Sequence, residues 1–265
     1  NLQNIPIRTD IGREIRRAFV AESDRVLIGA DYSQIELRVL AHMSGDANLI
    51  ESFNEGLDIH RAVAAQIHGV DPDDVTGEQR SGAKMVNFGI VYGITPYGLA
   101  RRLGVSNEEA SSIIDEYKAR FPGITTFLDE CVEHAKRCGY VSTMLGRRRP
   151  IPEIESKNPN RRSLSERMAI NSVVQGTAAD LIKLAMLDLH ARLSPSAGHL
   201  RGGEPAELDG VRMLLQIHDE LVFECPSEIA EDARTLIVER MEGAMALDVP
   251  LVVESTISEN WFEGK

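Results

Sequence analysis

The sequence predicts an α+β fold, an antiparallel sheet backed by helices with a long helical stretch inserted into it. Three observations carry that prediction. The runs Met213 to Ile217 and Leu221 to Phe223 are β-prone and flank the polar tip His218, Asp219, Glu220, which is the pattern of a hairpin. Val26 to Ala30 is a further apolar, strand-like run that ends on Asp31. Between them, apolar positions recur at helical spacing over Ala110 to Phe121 and Ile124 to Arg137, interrupted by Phe121, Pro122 and Gly123. A chain of 265 residues with 43% hydrophobic content can bury a sizeable core, as one large domain or two subdomains.

Each element has its local signal. The first strand delivers Asp31 into the stretch Asp31, Tyr32, Ser33, Gln34, Ile35, Glu36. Within Arg80 to Gly93, the residues Arg80, Lys84, Phe88 and Tyr92 recur every four positions, so on a helix each is displaced about 40° from the last and all four share one flank. That flank runs from cationic to aromatic. A solvent edge would not align Phe and Tyr with Arg and Lys, and a core stripe would not include the cations, although their stems do settle at a core's rim. A nucleoside triphosphate, anionic at one end and flat at the other, matches such a flank. Farther on, Arg167, Asn171 and Gln175 step by four along one helical face, which by sequence alone could equally be an ordinary surface. Ser194 to Gly210 is rich in turn formers and reads as a surface loop before the hairpin. Much of the acid lies on amphipathic stretches such as Glu228 to Glu242.

The hairpin would hold its two acids at a rigid, exposed turn. An Asp after a strand or an acid at a hairpin tip is by itself most often a turn former. If the hairpin and the first strand are neighbours, however, Asp31 and Asp219 face each other. Carboxylates brought together repel unless something positive lies between them, and hard oxygen donors select Mg²⁺ or Mn²⁺. Two such ions about 4 Å apart are the apparatus of phosphoryl transfer.

Taken together, Asp31 to Arg38, Arg80 to Gly93 and Gln216 to Glu220 resemble, in order and spacing, three motifs of the family A DNA polymerases, the bacterial DNA polymerase I type. The resemblance extends from Asn1 to Pro6 at the front to Glu259, Asn260 and Trp261 at the back. It implies template-directed addition of dNTPs to a primer 3′ end by two-metal-ion nucleotidyl transfer, with primer-template DNA and dNTPs as partners. Two Mg²⁺ ions would serve as cofactor, with Mn²⁺ able to substitute. It implies a palm made of residues 1–40 and 161–265, the latter with the catalytic hairpin, and helical fingers over 41–160. Thumb and exonuclease-like domains are expected upstream in a full-length protein of this kind.

Carried over position by position, the resemblance gives Asp31 and Asp219 the metal ions, with Glu220 close by in a lesser role. Arg80 and Lys84 would grip the triphosphate, helped by His60 and Gln34. Phe88 would pack on the incoming sugar and base, and Tyr92 would lie near the templating base. Glu36 would crowd the sugar 2′ position. Arg167, Asn171 and Gln175 would touch the minor groove, whose acceptors are shared by A·T and T·A pairs and suit a protein that accepts any sequence. His218 would lie near the primer end, and Arg8 completes the DNA-contacting set.

The formal charge of −12 argues against a nucleic-acid binder when taken whole, because phosphate contacts supply most non-specific affinity. Its distribution argues the other way. Between Lys136 and Arg167 nine cations stand against three glutamates, just ahead of the Arg167 helix, which reads as a DNA track. Cys131, Cys138 and Cys225 are odd in number and lack metal-binding spacing, as expected of reduced thiols. No run approaches a membrane span and no secretory signal is visible, so the expectation is a soluble protein of the bacterial cytosol or nucleoid. Two other readings compete. A single-subunit RNA polymerase or reverse transcriptase shares the two-metal chemistry, and Glu36 at the sugar gate favours deoxynucleotides over ribonucleotides. A catalytically inactive DNA-binding fragment would have no physical need for the cluster of acids.

Overall fold

Continuous apolar runs become strands and periodic ones become helices. A computed structural model describes residues 2–6, 9–194, 197–198, 200 and 206–264, and part of the 194–210 loop lies outside the described residues. The chain runs α1 (Asp10–Arg17), β1 (Arg25–Tyr32), α2 (Ile35–Ser44), α3 (Ala47–Asn54), α4 (Ile59–His68), α5 (Gly77–Val91), α6 (Pro96–Leu103), α7 (Asn107–Arg120) and α8 (Pro122–Cys138). It continues through β2 (Tyr140–Ser142), β3 (Arg148–Pro150), α9 (Pro159–Leu193), β4 (Arg212–Ile217), β5 (Glu220–Pro226), α10 (Ala230–Glu242) and β6 (Val253–Ser258). Two compact units result, one of residues 1–35, 179–246 and 251–265, the other of 36–178 and 247–250. Among the described residues no helix is long and apolar enough to cross a membrane.

The first unit is built on a four-stranded antiparallel sheet in the order β4-β5-β1-β6. Its central strand β1 buries Leu27, Ile28 and Ala30, as a strand covered on both sides must. The expected hairpin closes on the pair Ile217 and Glu220, leaving a two-residue turn of His218 and Asp219. Of these only His218 has a positive φ, 55°, as at the first central position of a II′ turn. The register skips Leu214 between the Met213 and Leu215 pairings, a bulge that leaves Leu214 exposed. Leu27, Ile217, Val222 and Trp261 pack together beside the sheet. Helix α10 turns Ala230, Ala233, Ile237 and Met241 inward at helical spacing. The buried Tyr32 hydroxyl donates to the Met241 carbonyl at 2.7 Å, tying that helix to β1.

The second unit is helical, with the small β2–β3 hairpin at its side. Its helices begin where the sequence supplies caps. Thr76 with Gln79, and Ser106 with Glu109, form reciprocal capping boxes at the starts of α5 and α7. The interruption at Phe121, Pro122 and Gly123 separates α7 from α8, and α8 has no side-chain cap of its own. Asp46 supplies one from elsewhere. Its Oδ1 accepts from Leu49 N–H at 3.0 Å, capping α3, and its Oδ2 accepts from Gly123 N–H at 2.7 Å, capping α8. Gly123 is required there because a Cβ would stand 2.9 Å from the Asp46 Cα.

Because one buried carboxylate serves two helix N-termini, Asp46→Ala should lower the stability of the helical unit by about 3 kcal/mol, the sum of a lost cap and a lost charge-assisted bond. Urea denaturation compared with the parent would measure it. A loss below about 1 kcal/mol would mean that water replaces the carboxylate at one of the two ends.

Candidate functional site

The acids of the first unit are gathered by strand register. Asp31, near the end of β1, pairs with Glu220 of β5 on one side and with Glu254 of β6 on the other. Cross-strand partners share a face, so Glu220, Asp31 and Glu254 form one row across the sheet. The residue in register with Asp31 is Glu220, one position beyond Asp219. Asp219 occupies the turn, and Tyr32 N–H donates to its carbonyl at 3.2 Å. This places Asp219 diagonally beside Asp31 at the open end of the sheet.

The row is graded in exposure. Glu254 and His218 are exposed, Asp31 and Asp219 are half-buried, and Glu220 is only 1% exposed. The exposed turn expected for the two acids therefore holds in part for Asp219 but not for Glu220. The reason is Gly29, two residues before Asp31 on the same face. A Cβ there would lie 3.3 Å from Glu220 Oε1, so the missing side chain makes room for the carboxylate to fold over the strand. The charge of Arg16, itself buried and stacked 4.0 Å above the Trp261 ring, reaches Glu220 as well. Burial lowers the Arg16 pKa and the Glu220 charge opposes that shift.

Gln34 follows β1 with a positive φ of 55°, and its buried Oε1 has no protein hydrogen-bond partner. Among the described residues no three acidic, His or Cys side chains converge as a ready-made metal cage. Asp31 and Asp219 still fit Mg²⁺, which is ordinarily held by one or two carboxylates, with water and substrate phosphate oxygens supplying the rest.

In the second unit, α5 presents the graded flank. Lys84 is exposed, Arg80 and Phe88 are partly exposed, and Tyr92 is the residue at which the helix ends. The Phe88 and Tyr92 rings lie 6.0 Å apart at 32°. Arg80 Nε meets Asp58 Oδ2 at 2.5 Å. Burial pulls the Asp58 carboxyl upward, but the Arg80 hydrogen bond, the Arg61 backbone N–H and the Arg80 charge bring it below its ordinary value. His60 is 1% exposed, 6.1 Å from the Phe88 ring, and its Nδ1 lies 2.7 Å from Asn87 Nδ2. Burial lowers the His60 pKa to about 4, with Asp58 opposing and Arg80 and Lys84 assisting, so the imidazole is neutral at pH 7. Glu36 is half-buried in the first turn of α2.

Helix α9 carries Arg167 and Asn171 half-buried and Gln175 exposed, one turn apart each. Arg167 reaches the end of α5. Its Cγ would be 3.0 Å from a Cβ on Gly93, whose φ is 74°, so glycine is needed at 93 both for the backbone and for the contact. Together with Phe88, Gly89, Tyr92, Ile94 and Arg102 they line an open cavity of about 340 Å³. The Tyr92 hydroxyl and Asn171 Oδ1 are buried with no protein partner, polar atoms available to a ligand. Arg8 lies outside the described residues.

Sequence reasoning missed Glu254, Arg16, Asp58 and Asn87. The Asp58 position before Ile59 is a readable N-cap signal, whereas Glu254 becomes visible only once β6 is known to flank β1.

Comparison with known proteins bears on the whole chain. The sequence profile described as DNA polymerase family A matches residues 1–263. The chain is 49% identical to DNA polymerase I of Bacillus subtilis, over 100% of this chain and 29% of that protein. It is 48% identical to the thermostable DNA polymerase I of Thermus filiformis, covering 30% of it. The chain thus spans less than a third of those relatives' length. A solved structure described as the POL domain of Pol1 from M. smegmatis, in complex with DNA primer-template and dNTP, superposes with a TM-score of 0.89 at 44% identity, covering 100% of this chain and 45% of the other.

The buried neutral imidazole makes the helical unit sensitive to acid. From about pH 6.5 down to the folded value near 4, the unfolded chain binds a proton that the native site refuses, so stability falls as pH drops through that window, by about 3 kcal/mol in all. His60→Gln should flatten the loss. Denaturation midpoints measured across this range would show it, and equal slopes for both proteins would remove His60 as the cause.

Proposed function

The chain belongs to DNA polymerase family A, and from that premise we propose that it extends a primer 3′ end with dNTPs on a DNA template, by nucleotidyl transfer. One observation carries the reading most directly, the register that brings Asp219 and Glu220 beside Asp31 at one end of the sheet. In this reading the residues of the first unit are palm and those around α5 are fingers. Asp31 and Asp219 hold two Mg²⁺ ions, for which Mn²⁺ can substitute. When bound, such ions lower the energy of charge developing on the reacting phosphate oxygens.

The primer 3′-hydroxyl gives up its proton to solvent and its oxygen bonds to the α-phosphorus, as the bond from that phosphorus to the bridging oxygen breaks and pyrophosphate leaves. Arg80 and Lys84 carry the positive charge that receives the triphosphate, Arg80 as a planar fork and Lys84 as a compact point charge. Phe88 offers a flat apolar surface for the sugar and base, with Tyr92 beside it for the templating base. Glu36 crowds the 2′ position. Gln34 has an unengaged buried oxygen to offer, which supports a role at the nucleotide. His60, neutral and buried behind Phe88, contributes shape and a hydrogen bond in place of charge. Arg167, Asn171, Gln175, His218 and Arg8 hold the duplex, and the cations from Lys136 to Arg167 attract its backbone. Thumb and exonuclease-like domains are expected in the longer protein, in keeping with relatives more than three times this length.

Asp31→Ala and Asp219→Ala should each reduce primer extension at least a hundredfold, about 3 kcal/mol of transition-state stabilisation, and leave duplex binding nearly unchanged. More than a tenth of the parental rate in Mg²⁺ for either variant would overturn the metal assignment. Glu36→Ala should raise the use of ribonucleotides relative to deoxynucleotides by roughly tenfold to a thousandfold, as loss of a crowding contact allows. Competing NTP and dNTP pairs on one template read this directly, and strict exclusion of ribose in the variant would mean that the sugar is sensed elsewhere.

A further inference from the structure

One carboxylate serves both α4 and α5. Asp58 Oδ1 accepts from the backbone N–H groups of His60 at 3.0 Å and Arg61 at 3.1 Å, capping α4. Its Oδ2 meets Arg80 Nε on α5. The Arg61 side chain donates to the Pro72 carbonyl at 3.0 Å, holding the turn that leads into the Thr76 capping box of α5. Two turns along, His60 and Asn87 join the same helices again. Asp58 is thus fixed at both oxygens, on a helix terminus that is itself anchored to α5.

A guanidinium presents its donors as a rigid planar fork. Engaging Nε sets the plane of that fork, and the end-on edge formed by the two Nη groups faces a different direction from the Nε side that Asp58 holds. Arg80 remains partly exposed, its side chain 39% accessible, and Lys84 follows one turn later on the same flank. An arginine with no such partner would have to surrender its rotamer freedom each time an anion bound.

We propose that Asp58 is a positioning residue for the triphosphate, orienting the Arg80 guanidinium so that its Nη edge is presented before the nucleotide arrives. The inference rests on the α5 flank being the triphosphate grip, as set out above. The opposite possibility is chemically distinct. Were Asp58 a competitor that withholds Arg80, its removal would strengthen triphosphate binding.

Asp58→Asn separates the roles, because Asn caps a helix about as well as Asp but carries no charge to hold the guanidinium. Asp58→Ser is a second capping replacement should the first perturb folding. With a fixed primer-template, each should raise the KM for dNTP roughly threefold to thirtyfold while kcat changes much less, and weaken inhibition by inorganic triphosphate by the same factor. Thermal midpoints should stay near the parent. In an Arg80→Ala background, Asp58→Asn should add nothing, since its effect passes through the guanidinium. An unchanged or lower KM in Asp58→Asn, or an equal loss in the Arg80→Ala background, overturns the proposal. If Arg80→Ala itself left the KM for dNTP unchanged, the triphosphate reading of α5 would fail, and the positioning role with it. A normal Arg80→Ala loss beside a silent Asp58→Asn would sink the positioning role alone.

Discussion

The pairing of β1 with β5 is the constraint on which the acidic site depends. Side chains alternate faces along a strand, so a slip of one residue would turn Glu220 away from Asp31 and replace a carboxylate row with Leu221 and the turn. Several features resist that slip. The two-residue turn requires a left-handed residue at 218, the Leu214 bulge sets the count on the β4 side, and Gly29 leaves the space that Glu220 Oε1 approaches. Tyr32, whose hydroxyl is bonded to α10, fixes the same strand from below. Carboxylate oxygens are thereby set at defined spacing on paired strands.

The helical unit meets a different problem, holding cations ready without collapsing them onto nearby acid. Arg80 is restrained by Asp58, whereas Lys84, one turn later, is exposed. His60 lies within reach of both charges and stays neutral because burial outweighs the pull of Asp58. The flank therefore grades from held charge through open charge to aromatic surface. Arg80 is held by Asp58 at the start of α4, and Phe88 lies beside His60 of that helix.

Much of this was legible in the sequence, and the remainder failed for physical reasons. The strand ending at Asp31, the hairpin, the break at Phe121 to Gly123 and the four-residue recurrence on α5 are local patterns, and local patterns survive folding. The pairing of Asp31 with Glu220 in place of Asp219 is a register, which depends on where the turn closes and cannot be counted from either run alone. Burial of Glu220 was invisible because it depends on a glycine nearly two hundred residues away. The His60 environment was equally hidden, since the imidazole contacts Asn87 and Phe88 on another helix. The family resemblance named positions, but only packing states which of them are buried, paired or open.

The meeting of Gly93 and Arg167 has a consequence for how such a sequence can vary. The glycine ends α5 in a conformation that other residues resist, and the arginine stem fills the space a side chain would take. Neither position can drift alone. A larger residue at 93 strains the helix end and also displaces the arginine, while a shorter residue at 167 opens a gap beside a backbone still committed to its left-handed bend. Across related sequences the two sites should therefore be inherited as a unit, a pairing written in backbone geometry and side-chain volume in place of charge.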